Sequence, residues 1–275
     1  MTSKPEYMTL KTDAPKDVSF EKLVSNTKDQ FNKELTCSRN QLISEAYAVE
    51  QYLGNKRVKP EEQACVSEKY SDVIELRSVS QNFSDFIEKE LDRLPNEVLE
   101  LIRLYGTQII VAHKMQDYNP QRAKERPRGW KPGRTWSNAD GMYDPDNNCI
   151  VVCETLEQDG VQRKSSRTGV LLHETAHFLD HKLQRLSSSP EFISAYMQDL
   201  KQMSASDRSK LAYFVQGEND PQNVIGREET FAEIWPLEQS NRCASFDAMT
   251  LRRCFPSVAK QIRQYQRDLT KKNPG

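Results

Sequence analysis

The sequence has no long apolar run. Nothing in it approaches the roughly 18 continuous apolar residues of a membrane span, and 29% of its residues are charged. It also lacks a surplus of either sign: the formal net charge is −1, so no global field points to nucleic acid or a membrane surface. The first residues, Met1-Thr-Ser-Lys-Pro-Glu-Tyr7, lack the apolar core of a secretory signal. Cysteine is sparse, six residues at 37, 65, 149, 153, 243 and 254, without the density or spacing of a disulfide framework. Cys149 and Cys153 fall in strand-like surroundings, more than ~12 Å apart along an extended chain, too far to share a metal ion. These absences predict a soluble protein with free thiols. It is expected in a cytoplasm, or exported into a host cytoplasm by a route that uses no cleaved signal. No internal repeat is present.

Histidine is scarce too, with four in 275 residues, yet His173, His177 and His181 fall within nine positions. They belong to Val170-Leu-Leu-His173-Glu174-Thr-Ala-His177-Phe-Leu-Asp180-His181, which contains His-Glu-x-x-His. At 3.6 residues per turn, His173 and His177 lie about 40° apart around a helix axis, one above the other, so both rings can converge on one metal ion. Glu174 sits about 100° from His173 on the same side, close to that ion but displaced from it, where a general base for water belongs. Asp180 falls about 20° to the other side, within reach of an imidazole N–H rather than the metal. Leu172, Ala176, Leu179 and Leu183 form a separate stripe for packing. With 23 glutamates in the chain, random order would produce about 0.004 such motifs, so coincidence is a poor explanation.

Two imidazoles need a third protein ligand to hold a catalytic zinc, with a fourth position left open. His181 lies two turns from His173 and points too far along the axis, so a downstream acid is the better source.

The remaining chain reads as follows. Residues 1–17 are polar with Pro5 and Pro15, and are expected to be disordered. Residues 18–95 read as all-helical, with helical spacing over Phe20–Leu35, a capping box at Ser38 and Gln41, a helix start at Pro60 and a periodic pattern from Val73 to Leu94. A domain over 96–275 follows. Pro95 opens a helix closed by Gly106, Thr107–His113 reads as a buried strand, and 114–134 is a loop with seven Lys or Arg against two acids. Its place before the metal helix makes it a candidate lip of a substrate cleft. Gly141–Asn148 and Cys149–Cys153 read as two strands joined by a turn. Glu154–Arg167 reads as a polar link, followed by the metal helix, helices near 191–203 and 206–215, another beginning at Glu228-Glu229, and a basic amphipathic segment from Met249 to Leu269. The fold class is α+β, mostly helical, with a small twisted sheet.

His-Glu-x-x-His-x-x-Asp followed about fifty residues later by Glu229-Thr-Phe231-Ala232-Glu233 resembles the zinc endopeptidases of the anthrax lethal-factor and Pro-Pro endopeptidase group, which are glutamate-zincins. The bacterial titration-factor peptidases carry a similar signature. The resemblance covers residues 96–240 and implies a zincin-like domain with one zinc ion per chain. It makes Glu229 the third ligand, Glu233 a partner behind the ligands, and the substrate a protein or peptide. It also implies that an extended substrate lies antiparallel on an edge strand, for which Ile150, Val151 and Val152 are the candidates. The group carries a tyrosine seven residues before the ligand glutamate, a donor to the oxyanion, and here that position is Gln222. Tyr213 or His113 could supply the donor from elsewhere. The alternative is a catalytically weak or inactive zinc-binding adaptor that acts through its helical N-terminal region.

Overall fold

The computed structural model describes residues 64–158, 160–165, 169–183, 185–216, 224–240 and 248–272. The disordered segment expected over 1–17, the helices expected over 20–54, the helix start at Pro60, and Gln222 lie outside the described residues. The chain divides into units at Pro60–Glu61, and the elements below belong to the second.

Strand β1 (Ile74–Arg77) leads to helices α1 (Gln81–Leu91) and α2 (Asn96–Leu104), strand β2 (Gln108–Ala112) and the short helix α3 (Met115–Tyr118). Strands β3 (Gly141–Asp144) and β4 (Cys149–Cys153) form a hairpin, and β5 (Thr155–Gln158) and β6 (Val161–Lys164) form a second one. The rest is helical: α4 (Val170–Lys182), α5 (Pro190–Gln202), α6 (Ala205–Lys210), α7 (Ile225–Ser240), α8 (Ala248–Cys254) and α9 (Pro256–Lys272). This is the α+β, mostly helical class that the sequence predicts.

The main sheet has the order β1-β2-β4-β3, with β1, β2 and β4 parallel and β3 antiparallel at one edge. Alternation along the strands divides the core. Ile109, Val111, Ile150 and Val152 face the helices, while Ile110, Ala112, Cys149, Val151 and Cys153 face Met115, Ala123 and Met142 on the other side. Strands covered on both faces read as continuous apolar runs, which is why Ile109–Ala112 and Cys149–Cys153 were legible as strands. The β3–β4 turn is held by Asp144, which accepts hydrogen bonds from the backbone N–H groups of Asp146 and Asn147, and by Asn148 in the left-handed region at φ 49°.

Three expectations are corrected here. The helix pattern read from Val73 to Leu94 contains β1, because Ile74–Arg77 pairs in parallel with Ile109–Ala112. The chain then turns at Ser78 (φ 57°), and Ser80 caps α1 by accepting from Phe83 N at 3.2 Å. A four-residue strand followed by a turn leaves the apolar spacing of a helix intact, so periodicity alone could not separate them. The boundary expected at 95/96 falls inside one core, since β1 joins the sheet and Phe83, Ile87 and Leu91 of α1 pack with residues of α2, α4 and α7. The polar link over Glu154–Arg167 contains the β5–β6 hairpin, which turns at Gly160 (φ 75°).

The basic segment at the C-terminus is two helices. Pro256 opens α9, whose N-terminus is held by the Asp199 carboxylate accepting from Ser257 N and Val258 N, both at 2.9 Å.

Candidate metal centre

Helix α4 begins after Gly169 (φ 89°) and lies against β3, β4 and α7. Its Leu172, Ala176 and Leu179 are fully buried, and Leu183 packs at the margin. That burial is worth roughly 1.5–3 kcal/mol for each large side chain and fixes which face of the helix is left for the imidazoles. Helix α7 packs along α4; its Phe231, Ala232, Ile234 and Trp235 are all buried, and it carries Glu229 and Glu233 one turn apart.

The two helices bring His173, His177 and Glu229 together, with one potential ligand atom from each lying within 4.8 Å of the others. Glu229 Oε2 is 3.5 Å from His173 Nε2 and 3.7 Å from His177 Nε2. Ligands about 2.0–2.1 Å from a tetrahedral zinc ion are separated by about 3.3 Å, so these two separations stand a few tenths of an ångström from that arrangement. The two rings are 4.9 Å apart and nearly perpendicular. Behind them, Glu233 Oε2 lies 2.9 Å from His173 Nδ1, which leaves Nε2 as the nitrogen turned towards Glu229. A carboxylate on Nδ1 fixes the tautomer and orientation of a ligating imidazole.

The electrostatics follow from enclosure. Burial works against the Glu229 charge, but hydrogen bonds from His173 and His177 outweigh it and hold this carboxyl well below the usual range. Burial also disfavours protonated His173, yet its hydrogen bonds to Glu229 and Glu233 raise its pKa well above the ordinary value. Glu174 is buried beside the cluster, and loss of solvent pushes its carboxyl up, the direction that suits a general base working near neutrality.

Glu174 owes its position to a residue that the motif does not include. A Cβ at Gly141 would lie 2.5 Å from Val170 Cγ1 and 3.1 Å from Glu174 Cγ, so only glycine lets β3 approach the helix this closely.

Tyr213 lies in the turn after α6, and the residue as a whole is 38% exposed. Its phenol is pushed upward first by burial and next by the charge of Glu229. The other donor considered, His113, faces away into a different set of contacts, with Glu154 3.3 Å from Nδ1 and Gln162 3.4 Å from Nε2.

Asp180 does not reach an imidazole. Its carboxylate accepts from Ser187 N and Ser187 Oγ, both at 2.7 Å, while Ser187 O accepts from Arg227 Nε at 3.2 Å. The backbone turns back at Arg185 (φ 54°) and delivers Ser187 to Asp180, which a helical projection of α4 alone could not show. Asp180 thus ties the end of α4 to the start of α7. His181, set aside as a ligand on geometric grounds, pairs instead with Tyr143 Oη at 3.2 Å.

Ile150, Val151 and Val152 are not an edge. β4 lies between β2 and β3, paired on both sides, because the chain between β2 and β3 places the later strand inside. The edge beside α4 is β3, and no further strand pairs with its outer side among the described residues.

No family model matches the sequence, and no curated protein matches it. Among solved structures, the chain is similar to the Pro-Pro endopeptidase PPEP-2 from Paenibacillus alvei. The likeness has 21% identity and a TM-score of 0.47, and covers 70% of this chain and 97% of that one. A likeness of this degree says nothing of substrate or catalytic residues, so what the centre can do follows from its own side chains.

Proposed function

We propose that the chain is a zinc-dependent endopeptidase with a zincin-like catalytic domain. The observation that carries this reading is the convergence of His173, His177 and Glu229, whose potential ligand atoms lie within 4.8 Å of one another, with the buried Glu174 beside them and Glu233 on the back of His173. Two imidazoles and one carboxylate are a donor set that suits zinc, and three protein ligands leave a position open for chemistry. When bound, zinc supplies polarisation of the scissile carbonyl and a lowered pKa for water.

The protein's own groups complete the reaction. Glu174 accepts the proton of the attacking water and returns it to the nitrogen of the leaving amine. Its raised pKa makes it a stronger acceptor of that proton than an ordinary carboxylate. Tyr213, beside Glu229, donates its phenolic hydrogen to the oxygen on which negative charge develops. Glu233 holds His173 with Nδ1 protonated and Nε2 free to ligate. An extended peptide adds antiparallel to the outer edge of β3, above α4, which favours a protein or peptide substrate over a small amide. No helix among the described residues is long and apolar enough to cross a membrane.

The test compares new N-termini in lysates incubated with the wild type and with Glu174→Ala. The variant keeps its metal, because Glu174 is not a ligand, and loses the cleavages. Equal cleavage by both proteins would end the proposal.

A further inference from the structure

The chain between Glu125 and Trp136 forms a closed loop, its ends joined by a hydrogen bond from Trp136 N to Glu125 O at 2.9 Å. Compact surface loops with tied ends are frequently functional. Two contacts seat this one beside the metal centre. Arg128 pairs with Glu228, the neighbour of ligand Glu229. Gly129 (φ 81°) passes so close to Gln216 and Ile225 that a Cβ would lie 2.7 Å from Gln216 Oε1. Within the loop, the Trp130 ring stands 6.2 Å from that of Trp136.

Between these anchors the loop carries Arg126, Lys131 and Arg134, all exposed. None of the three makes an ion pair, whereas the loop's one acid, Glu125, is held by Arg122 at 2.9 Å. Three unpaired cations on one short, anchored loop repel each other, and an anion lying in the cleft relieves that repulsion.

We infer that this loop selects peptides with Asp or Glu side chains beside the scissile bond. The inference rests on the endopeptidase reading and names its substrate class. The contacts of Arg128 with Glu228 and of Gly129 with Gln216 and Ile225 hold the loop beside the start of the helix that carries Glu229, so a peptide bound at the centre meets the loop's cations near its scissile bond. Exposed charge pairs act largely through encounter rate and discrimination and are weakened by salt.

The test uses the full chain with a peptide library made by cleaving a proteome after lysine, and cleaved bonds are read by mass spectrometry. Asp and Glu are expected to be enriched roughly three- to tenfold within four residues of the cleaved bonds, inside the span of about 1.4- to 30-fold that one or two exposed charge pairs allow. Raising NaCl from about 50 to about 500 mM shortens the screening length from about 14 to about 4 Å and removes most of that enrichment. The triple variant Arg126→Gln/Lys131→Gln/Arg134→Gln abolishes it, with zinc content and circular dichroism as wild type. Lys89→Gln/Lys201→Gln/Lys260→Gln, an equal change in charge elsewhere, leaves it in place. Wild-type cleavage without acidic enrichment, or enrichment that survives the loop variant, overturns the inference while leaving the endopeptidase reading intact. A wild-type digest identical to that of Glu174→Ala overturns both.

Discussion

Removing Glu233 tests the centre without touching a ligand. Its carboxylate lies 2.9 Å from His173 Nδ1, and its side chain is only 2% exposed, so the bond is charge-assisted and little screened by water. A hydrogen bond to a charged group contributes about 1.5–3 kcal/mol. Glu233→Ala removes that contribution from the orientation and basicity of His173, and at 1.4 kcal/mol per decade zinc affinity should fall about 10- to 100-fold. Glu233→Gln keeps an acceptor without the charge. Neutral hydrogen bonds are about half as strong, so its loss should be about 3- to 12-fold. Competition against chelators of known affinity at fixed pH measures both. The expected order is wild type, then Gln, then Ala, and wild-type affinity in the Ala variant would show that Glu233 does not position His173. In metal-free protein the same change leaves a buried imidazole without one of its partners. Each kcal/mol lost should lower Tm by about 2–4 °C in a unit of this size.

Tyr213→Phe should reduce kcat about 10²-fold with KM, zinc content and Tm nearly unchanged, because the donated hydrogen bond strengthens only as charge develops on the oxyanion; unchanged kcat with lowered Tm would instead make Tyr213 a packing residue. Gly141→Ala forces a Cβ against Val170 Cγ1 and Glu174 Cγ, so it should destabilise by about 1–3 kcal/mol and lower kcat by displacing Glu174; calorimetry and kinetics that match wild type would refute the close-approach argument. Asp207 is held at about 2, below its ordinary 3.8, first by the hydrogen bond from Arg253 and next by that from Ser204. A depressed carboxyl contributes stability that is fully present above about 4 and is lost as pH falls towards about 2. In Arg253→Gln the carbon resonance of the Asp207 carboxyl should therefore titrate at higher pH than in the wild type, and an identical titration would rule the ion pair out in solution.

Local chemistry made part of this protein legible without coordinates. The 3.6-residue period alone puts His173 and His177 on one line with Glu174 beside them, and that property of a single helix survives in any tertiary setting. The apolar runs at Ile109–Ala112 and Cys149–Cys153 declared strands buried on both faces, and Asp144 to Asn148 declared the turn between the hairpin strands. Relations between distant segments were beyond its reach. Resemblance suggested Glu229, but only the packing of α7 along α4 brings its carboxylate 3.5 and 3.7 Å from the two imidazoles. Strand order put β4 inside the sheet and β3 at its edge, because register and neighbour choice depend on crossovers that no single strand encodes. Asp180 illustrates the same limit: the helix fixed its angle, while the return of the chain at Arg185 decided that its partner is Ser187 and not an imidazole. Sequence thus determined what each segment can do alone, and tertiary structure decided which segments meet, since the distances that govern ligation and hydrogen bonding are set by packing across the chain rather than by spacing along it.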